Sequence, residues 1–173
     1  TINGADDAPV LSTPTAGSIA ETAGSSDTTT SGLTGTLSAS DADGDTLTYA
    51  ITGGSTTDGV STLASSYGSL SLNTSTGAYT YTPDSSAVEA LDNGDSVTDS
   101  FTLTASDGTD TTSATYTVNL TGADDSSVIS ATTTGSLTED SGTSTVTGSI
   151  SIADPDADDS PSFPDVSSTA SDN

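Results

Sequence analysis

The clearest structural signal in this chain is Gly35-Thr-Leu-Ser-Ala-Ser-Asp-Ala-Asp-Gly-Asp-Thr-Leu-Thr-Tyr49. Apolar side chains alternate with Thr and Ser on both sides of three acidic residues, Asp41, Asp43 and Asp45. Alternation with a period of two is typical of strands that bury one face, and Gly44 favours a tight turn. The stretch therefore predicts two half-buried strands that flank a turn carrying three carboxylates.

The same alternation continues along the chain. Besides the two strands around the acidic turn, the alternation predicts a weaker strand over residues 16–21 and four later strands. The apolar residues of the four later strands are Leu70 and Leu72; Tyr79 and Tyr81; Phe101, Leu103 and Ala105; and Tyr116, Val118 and Leu120. Asn73-Thr-Ser-Thr-Gly77 predicts a hairpin turn, and residues 85–91 a helical turn. Seven short strands with one apolar face each predict an all-β, immunoglobulin-like β-sandwich.

An internal repeat indicates the domain organisation. Three blocks recur in the same order: Gly4-Ala-Asp-Asp at Gly122, Gly17-Ser-Ile-Ala-Glu21 as Gly135-Ser-Leu-Thr-Glu139, and Gly35–Asp43 as Gly148–Asp156. The spacing is roughly 115 residues, the size of one sandwich domain. We therefore expect residues 1–7 to be a linker from a preceding repeat and residues 8–122 a complete sandwich. Residues 123–173 are expected to hold a linker and the N-terminal part of a second, incomplete repeat.

The charge of the chain is its other unusual property. The 173 residues include 25 Asp and Glu but no Lys, Arg or His, which gives a formal net charge of −25. Because no side chain can neutralise these carboxylates, self-repulsion opposes compaction. Clustered carboxylates favour a hard divalent cation, so Ca²⁺ is the expected cofactor. Halophilic adaptation is an alternative cause of the acidity, and disorder is the alternative to a fold, since only 29% of residues are hydrophobic.

This composition also excludes several function classes. Nucleic acids and anionic membrane surfaces bind through Lys and Arg, which are absent, and no apolar run is long enough for direct membrane insertion. The absence of Cys excludes disulfides and thiolate metal sites. Without His, Cys or Lys, no Ser or Thr has a conventional catalytic base, so we expect no enzyme.

These residues resemble a known family. The stretch Gly35–Tyr49 resembles the central signature of VCBS and cadherin-like repeats in very large bacterial surface proteins. Tyr79-Thr-Tyr-Thr-Pro83, the segment Asp99–Gly108 and the linker Thr121–Asp125 fit the same pattern in the same order. The usual linker carries Asn-Asp or Asp-Asn where this chain has Asp-Asp, a change that keeps the carboxylate. The resemblance implies an extracellular or surface location in tandem arrays of secreted adhesins and biofilm proteins, often exported by type I secretion.

The acidic turn is the strongest metal-site candidate from the residues themselves. Alternate acids spaced by small residues let several carboxylates converge on one ion. The turn is not an EF-hand, because Thr52 stands where the twelfth loop residue, a Glu, is required. A solvated turn is the alternative, and the recurrence of the spacing at Asp154, Asp156 and Asp158 disfavours it.

The resemblance further implies that neighbouring repeats share each calcium site. The Glu that ends the first strand, an acid before the sixth strand and the linker acids would meet the acidic turn of the next repeat. One junction would combine Glu21, Asp99, Asp124, Asp125, Asp154 and Asp156, with Asp95 as the rival of Asp99. The upstream junction would use Asp6, Asp7, Asp41, Asp43 and Asp107. Asp45, Asp158 and Glu139, the counterpart of Glu21, complete the candidate set.

These features together predict a calcium-stabilised extender module of a long, repetitive extracellular bacterial adhesin or biofilm protein, with neighbouring repeats of the same chain as partners. Two alternatives stay open. One is a self-assembling filament subunit whose incomplete second unit is filled by strand exchange with another copy, although a boundary inside a longer chain explains the same incompleteness. The other is a calcium-dependent glycan-binding adhesin domain.

Overall fold

A computed structural model describes residues 4–24, 31–133 and 148–163. About 50% of the structure is strand and 3% is helix, which confirms the all-β prediction. Fourteen elements make up the described part, in the order β1 (Val10–Leu11), β2 (Gly17–Ala20), β3 (Leu33–Thr36), β4 (Ala39–Ser40), β5 (Thr48–Ile51), β6 (Ser55–Thr57), β7 (Val60–Ala64), β8 (Gly68–Asn73), β9 (Ala78–Pro83), α1 (Ser85–Val88), β10 (Ser96–Ser106), β11 (Thr111–Thr121), β12 (Val128–Thr133) and β13 (Gly148–Ala153).

Two sheets form the sandwich. One has the strand order β2-β11-β10-β5, and the other has the order β3-β9-β8-β7-β6. Neighbouring strands are antiparallel except for β2, which pairs parallel to β11. Two short antiparallel pairs, β1-β4 and β12-β13, complete the described part of the chain. This arrangement is the immunoglobulin-like sandwich expected from the sequence.

The core lies between the two sheets and is built from the inward side of the alternating strands. Phe101, Leu103 and Ala105 on β10 are buried, and so is Tyr81 on β9. The rings of Tyr81 and Phe101 meet edge to face at 6.0 Å, which joins the two sheets. Each fully buried large apolar side chain contributes about 1.5–3 kcal/mol. The outward positions are mainly Thr and Ser, as expected for a solvated sheet face.

The sequence predicted fewer strands than the structure contains. It missed β6 and β7, whose residues are mostly Ser and Thr and show no clear apolar period. A tight turn joins these strands at Asp58-Gly59, where both residues have positive φ (51° and 78°). The strand predicted around Leu37 is interrupted, so that β3 pairs with β9 and β4 pairs with β1. The hairpin turn at Asn73–Gly77 and the short helix before Asn93 are confirmed.

Strand register defines two ends of the sandwich. Ala20, Ser96 and Thr121 are neighbours at one end, from which the linker leaves at Gly122; we call it the junction end. Thr48, Ser106 and Thr111 are neighbours at the opposite end, which we call the distal end. The acidic turn precedes β5 and therefore lies at the distal end. Both ends collect loops that are rich in carboxylates.

The segment after the linker repeats a local pairing of the sandwich. In the β1-β4 pair, Leu11 lies opposite Ala39, and in the β12-β13 pair their repeat counterparts Ile129 and Ile152 lie opposite each other. The apolar face of β12-β13 is open, with Ile129 63% and Ile150 61% exposed. The counterpart of Ile129, Leu11, is buried. The limits 8–122 and 123–173 of the two expected units stay predictions.

Candidate metal centre

Three carboxylates meet at the junction end. Oxygen atoms of Glu21, Asp125 and Asp156 lie within 4.8 Å of one another, and we call these residues the junction cluster. Glu21 directly follows β2, Asp125 belongs to the linker after β11, and Asp156 lies in the loop after β13. The cluster therefore brings together one strand end of the sandwich, the linker and the segment beyond it.

Backbone amides hold two of these carboxylates in place. The amide of Ala123 donates to Oε2 of Glu21 at 2.8 Å, and the amide of Asp125 donates to Oδ2 of Asp156 at 2.8 Å. The backbone of Glu21 is itself fixed, because its amide donates to the carbonyl of Thr121 at 3.0 Å. Each bond uses one oxygen of its carboxylate and leaves the other oxygen available.

Those second oxygens are buried without a hydrogen-bond partner. They are Oε1 of Glu21 and Oδ1 of Asp156, and the Asp156 side chain is only 4% exposed. A desolvated carboxylate oxygen with no donor is costly. No Lys, Arg or His exists in the chain to neutralise it. An all-oxygen set of carboxylates matches the ligands that a hard divalent cation prefers.

A second group shares Asp156. Oxygens of Asp124, Asp156 and Asp159 also lie within 4.8 Å of one another. Asp154 and Ser127 shape the loop beside this group, because the Ser127 hydroxyl donates to Oδ2 of Asp154 and the Asp156 amide donates to its Oδ1. Asp156 therefore lies between two groups of carboxylates, where it can contribute to both.

The electrostatics of the junction end indicate unneutralised negative charge. Burial raises the pKa of Glu21, and the charges of Asp125, Glu89 and Asp156 raise it further against the lowering effect of the Ala123 amide. Desolvation likewise raises the pKa of Asp159, with the charge of Asp154 as the next cause. Burial, and after it the negative charge of neighbouring carboxylates, thus disfavours the ionised form of both groups.

Asp92 is a functional candidate that sequence reasoning missed. Its Oδ1 is buried without a hydrogen-bond partner, and desolvation followed by the charge of Asp158 raises its pKa. A turn holds it at the junction end, since the Asp95 amide donates to the Asp92 carbonyl at 2.9 Å. The acidic turn Asp92-Asn-Gly-Asp95 immediately before β10 is the sequence signal that could have identified it.

A third group of carboxylates lies at the distal end. Oxygens of Asp6, Asp107 and Asp110 lie within 4.8 Å of one another, and we call these residues the distal cluster. The amides of Asp110 and Thr109 both donate to Oδ1 of Asp107 at 2.7 Å and lower its pKa. The other oxygen of Asp107 is buried without a partner. Asp110 was not among the predicted residues.

Backbone amides inside the acidic turn bind one oxygen of Asp41, while its Oδ2 is buried without a hydrogen-bond partner. The amides of Asp43 and Asp45 donate to Oδ1 of Asp41 at 2.9 and 3.2 Å. The linker reaches this turn through the Asp7 amide, which donates to Oδ2 of Asp43 at 2.8 Å. This bond is the repeat counterpart of the bond from the Asp125 amide to Asp156, and its length is the same. The two linkers therefore contact the two acidic turns in the same way.

Asp99 requires a correction. The structure does not bring it to the junction end but buries it between the sheets at 2% exposure. Its carboxylate accepts hydrogen bonds from the Tyr81 hydroxyl at 2.8 Å, the Ser65 hydroxyl at 2.6 Å and the Tyr67 amide at 3.3 Å. The physical reason is register: β10 begins at Ser96, so Asp99 shares the inward face of that strand with Phe101. Asp95 belongs to the turn beside Asp92 and to none of the three groups among the described residues.

The predicted site residues thus divide into two sets. The structure gathers these six into the carboxylate groups: Asp6, Asp107, Glu21, Asp124, Asp125 and Asp156. Within the described residues it leaves these outside the groups: Asp7, Asp41, Asp43, Asp45, Asp99, Asp154 and Asp158. Glu139 lies outside the described residues. Which carboxylates bind an ion stays a prediction.

The fold and its acidic ends define a class of protein, an immunoglobulin-like β-sandwich module with carboxylates gathered where linkers enter and leave. The sequence profile of the bacterial cadherin-like domain matches residues 6–122, more than half of the chain, and the chain therefore belongs to that family. No curated protein matches the chain. Membership indicates an adhesion-type module of the kind usually found outside the cell or on its surface.

Family membership also bears on chemistry. Cadherin-like domains are generally structural, non-enzymatic modules, and they typically bind calcium. The carboxylate groups described above are of a kind that can hold a metal ion. Across the described ranges, no helix is both long and apolar enough to cross a bilayer.

Proposed function

We propose that this chain is a calcium-stabilised structural module in which Ca²⁺ at the junction cluster fixes the linker to the sandwich. One observation carries the proposal: Glu21 and Asp156, which form one group of carboxylates with Asp125, each present a buried oxygen without a hydrogen-bond partner, in a chain that lacks any cationic side chain. The three residues come from three consecutive parts of the chain, so a shared ion would cross-link them.

The donor set fits calcium better than other common metals. All the gathered side chains are carboxylates, whereas zinc sites normally use His or Cys, which this chain lacks. Mg²⁺ demands a near-ideal octahedral shell and retains its water, while Ca²⁺ accepts six to eight oxygens in flexible geometry. Glu21, Asp125 and Asp156 would supply part of that shell, and backbone carbonyls or water would supply the rest.

The mechanism is electrostatic. Without a cation, like charges at the junction end repel one another, and this repulsion adds to the effect of burial in raising the pKa of Glu21. Glu21, Asp125 and Asp156 would hold a divalent ion, whose positive charge would offset this repulsion. Because it binds the folded arrangement, it also stabilises that arrangement by mass action.

The wider role that we propose is that of an extender in a long, repetitive extracellular adhesin or biofilm protein. Two observations support it: membership of the bacterial cadherin-like family, and the equal bonds of Asp7 to Asp43 and of Asp125 to Asp156 in successive repeats. Neighbouring repeats of the same chain are the partners that this role requires.

A self-assembling subunit is the second candidate function, and one observation favours it. Ile129 and Ile150 on the β12-β13 pair are largely exposed, although Leu11 and Leu37, their repeat counterparts, are buried in the sandwich core. An exposed apolar sheet face is a site where another chain can pack. Analytical ultracentrifugation over a range of concentrations separates this role from that of a monomeric extender.

Titration of the full chain with calcium tests the primary proposal. In calcium we expect heat of binding by calorimetry, a higher melting temperature and a longer, more uniform particle in small-angle scattering than in chelator. Mg²⁺ at the same concentration is the control for general screening of charge. Identical melting and scattering profiles in calcium and chelator would refute the proposal.

A further inference from the structure

The turn at the junction end contains a dipeptide whose chemistry the proposed function does not use. Asn93 and Gly94 lie between Asp92 and Asp95, and both are exposed. Gly94 has a φ of +101°, and no atom lies within 4 Å of the position a Cβ would occupy. The two residues therefore protrude from a turn that is fixed at both of its ends.

The hydrogen bonds of this turn leave its tip free to react. The Asp95 amide donates to the Asp92 carbonyl at 2.9 Å, and the Gly122 amide donates to the Asp95 carbonyl at 3.1 Å. Within the described residues, neither the side-chain amide of Asn93 nor the backbone nitrogen of Gly94 has a hydrogen-bond partner. The nucleophile and the electrophile of an intramolecular reaction are thus adjacent, exposed and unprotected.

The other described asparagines are held differently. Oδ1 of Asn73 accepts hydrogen bonds from the amides of Ser75 and Thr76, and the residue that follows Asn73 is Thr74. Oδ1 of Asn119 accepts a hydrogen bond from the Thr98 hydroxyl, within β11, and Leu120 follows it. Their neighbours carry side chains that crowd the attacking nitrogen, whereas Gly94 carries none.

We infer that Asn93 is a site of spontaneous covalent modification, at which the chain converts an amide to a carboxylate beside the junction cluster. The backbone nitrogen of Gly94 attacks Cγ of Asn93, and the Cγ–Nδ2 bond breaks. The proton of the Gly94 amide leaves with the departing ammonia, and a cyclic imide remains. Water then opens the imide at Cγ to give aspartate, or at the backbone carbonyl to give isoaspartate, whose main chain runs through Cβ and Cγ.

The packing of Gly122 connects this reaction to the junction. A Cβ on Gly122 would clash with the backbone carbonyl oxygens of Leu91 and Asp92, so the linker passes directly against this turn. Isoaspartate inserts one extra backbone carbon between Asp92 and Asp95, which are joined by a 2.9 Å hydrogen bond. The insertion therefore lengthens the turn that packs against the linker, and the effect that we expect on calcium binding rests on the proposed function.

The modification is tested by ageing the full chain at neutral and mildly alkaline pH. Because no Lys or Arg is present, a chymotrypsin-like protease that cuts after Leu91 and Phe101 isolates the Asn93 peptide. Mass spectrometry follows the change from amide to acid, and isoaspartyl methyl-transfer labelling identifies the rearranged product. Asn3 is also followed by glycine, and it lies outside the described residues, so its peptide is mapped separately.

The expected result is faster loss of the amide at Asn93 than at Asn73 or Asn119 in the same sample, and strong slowing in Asn93→Gln. Conversion of Asn93 at the rate of Asn119 would overturn the inference. Anion exchange then separates aged from unaged chain for calcium titration, with Asn93→Asp as the control that adds the charge without the extra backbone carbon.

The isoaspartyl form is expected to bind calcium more weakly than Asn93→Asp. Equal binding by all forms would overturn the link to the junction while the modification stands. Absence of calcium binding in the unaged chain would instead contradict the proposed function and leave the amide-loss measurement unaffected.

Discussion

Replacement of Asp156 by Asn is expected to change stability in opposite directions with and without calcium. Asp156 belongs to both carboxylate groups of the junction end, and its side chain is 4% exposed. In the wild-type chain the Asp125 amide donates a hydrogen bond to Asp156 at 2.8 Å. Asn keeps an oxygen that can accept this bond, but it removes one negative charge. The substitution therefore removes the charge of the residue that the two groups share and leaves the size of its side chain almost unchanged.

The magnitude follows from the geometry. Two unit charges 4.8 Å apart, the limit for Asp156 and Glu21, repel by about 3 kcal/mol at an effective dielectric of about 20 and by about 1 kcal/mol in water. Relief of this repulsion stabilises the calcium-free variant by about 1–3 kcal/mol. Each kcal/mol raises the melting temperature by about 2–4 °C in a chain of this size. In calcium the variant should instead be less stable than wild type, because each tenfold drop in calcium affinity removes about 1.4 kcal/mol of binding free energy.

Thermal melts followed by circular dichroism, in chelator and in saturating calcium, measure both effects. Asp58→Asn is the matched control: it removes the same charge at an exposed turn beside Thr74, and Asn tolerates the φ of 51° found there. The variant at Asp156 should melt higher than wild type in chelator and lower in calcium, while the control shifts little in either. A full calcium-dependent rise in Asp156→Asn, equal to that of wild type, would refute the assignment of Asp156 as a ligand.

Three further predictions concern other parts of the molecule. Asp99→Ala leaves the buried Tyr81 hydroxyl without its acceptor, so we expect the free energy of unfolding, measured in urea, to fall by about 1–3 kcal/mol. The decrease should be equal with and without calcium, and much smaller for Asp99→Asn. Gly122→Ala, which places a Cβ against backbone carbonyls, should weaken calcium binding in calorimetry, whereas its repeat counterpart Gly4→Ala, with open space around the Cβ, should not. Burial and neighbouring carboxylates raise the pKa of Glu21, so the folded chain binds that proton more tightly than the unfolded chain does. In chelator we therefore expect the melting temperature to rise as the pH falls from neutral towards 4.5. Glu21→Gln should make that rise smaller.

The sequence was most informative where side chains alternate strongly. Phe101, Leu103 and Ala105 predicted the inward face of β10, and Tyr79 and Tyr81 predicted β9. It was least informative for β6 and β7, because a strand of Ser and Thr at a sheet edge buries little and shows no apolar period. Pairing with neighbours, rather than local pattern, makes those residues strands.

The candidate site was predicted in part for a related reason. The internal repeat aligned linker acids with an acidic turn, which is how Glu21, Asp125 and Asp156 entered the predicted set. Asp92 and Asp110 did not, because a backbone hydrogen bond closes the turn that positions Asp92, and the bond from the Asp110 amide to the Asp107 carboxylate brings Asp110 into the distal cluster. Asp99 was assigned to the wrong environment, since a shift of a few residues in the start of β10 decides whether an acid faces a loop or the core.

The distribution of charge along the strands indicates where calcium should act. Among the described strands only β10 carries an acidic residue, Asp99, and its carboxylate has three hydrogen-bond donors. The remaining carboxylates of the described part lie in loops, turns and the linker. The sheets of the described part therefore carry no exposed charge that must be neutralised before they can pair. Repulsion is concentrated instead where chain segments converge at the two ends. A cation bound there would alter how the linker is held far more than it alters the sandwich itself.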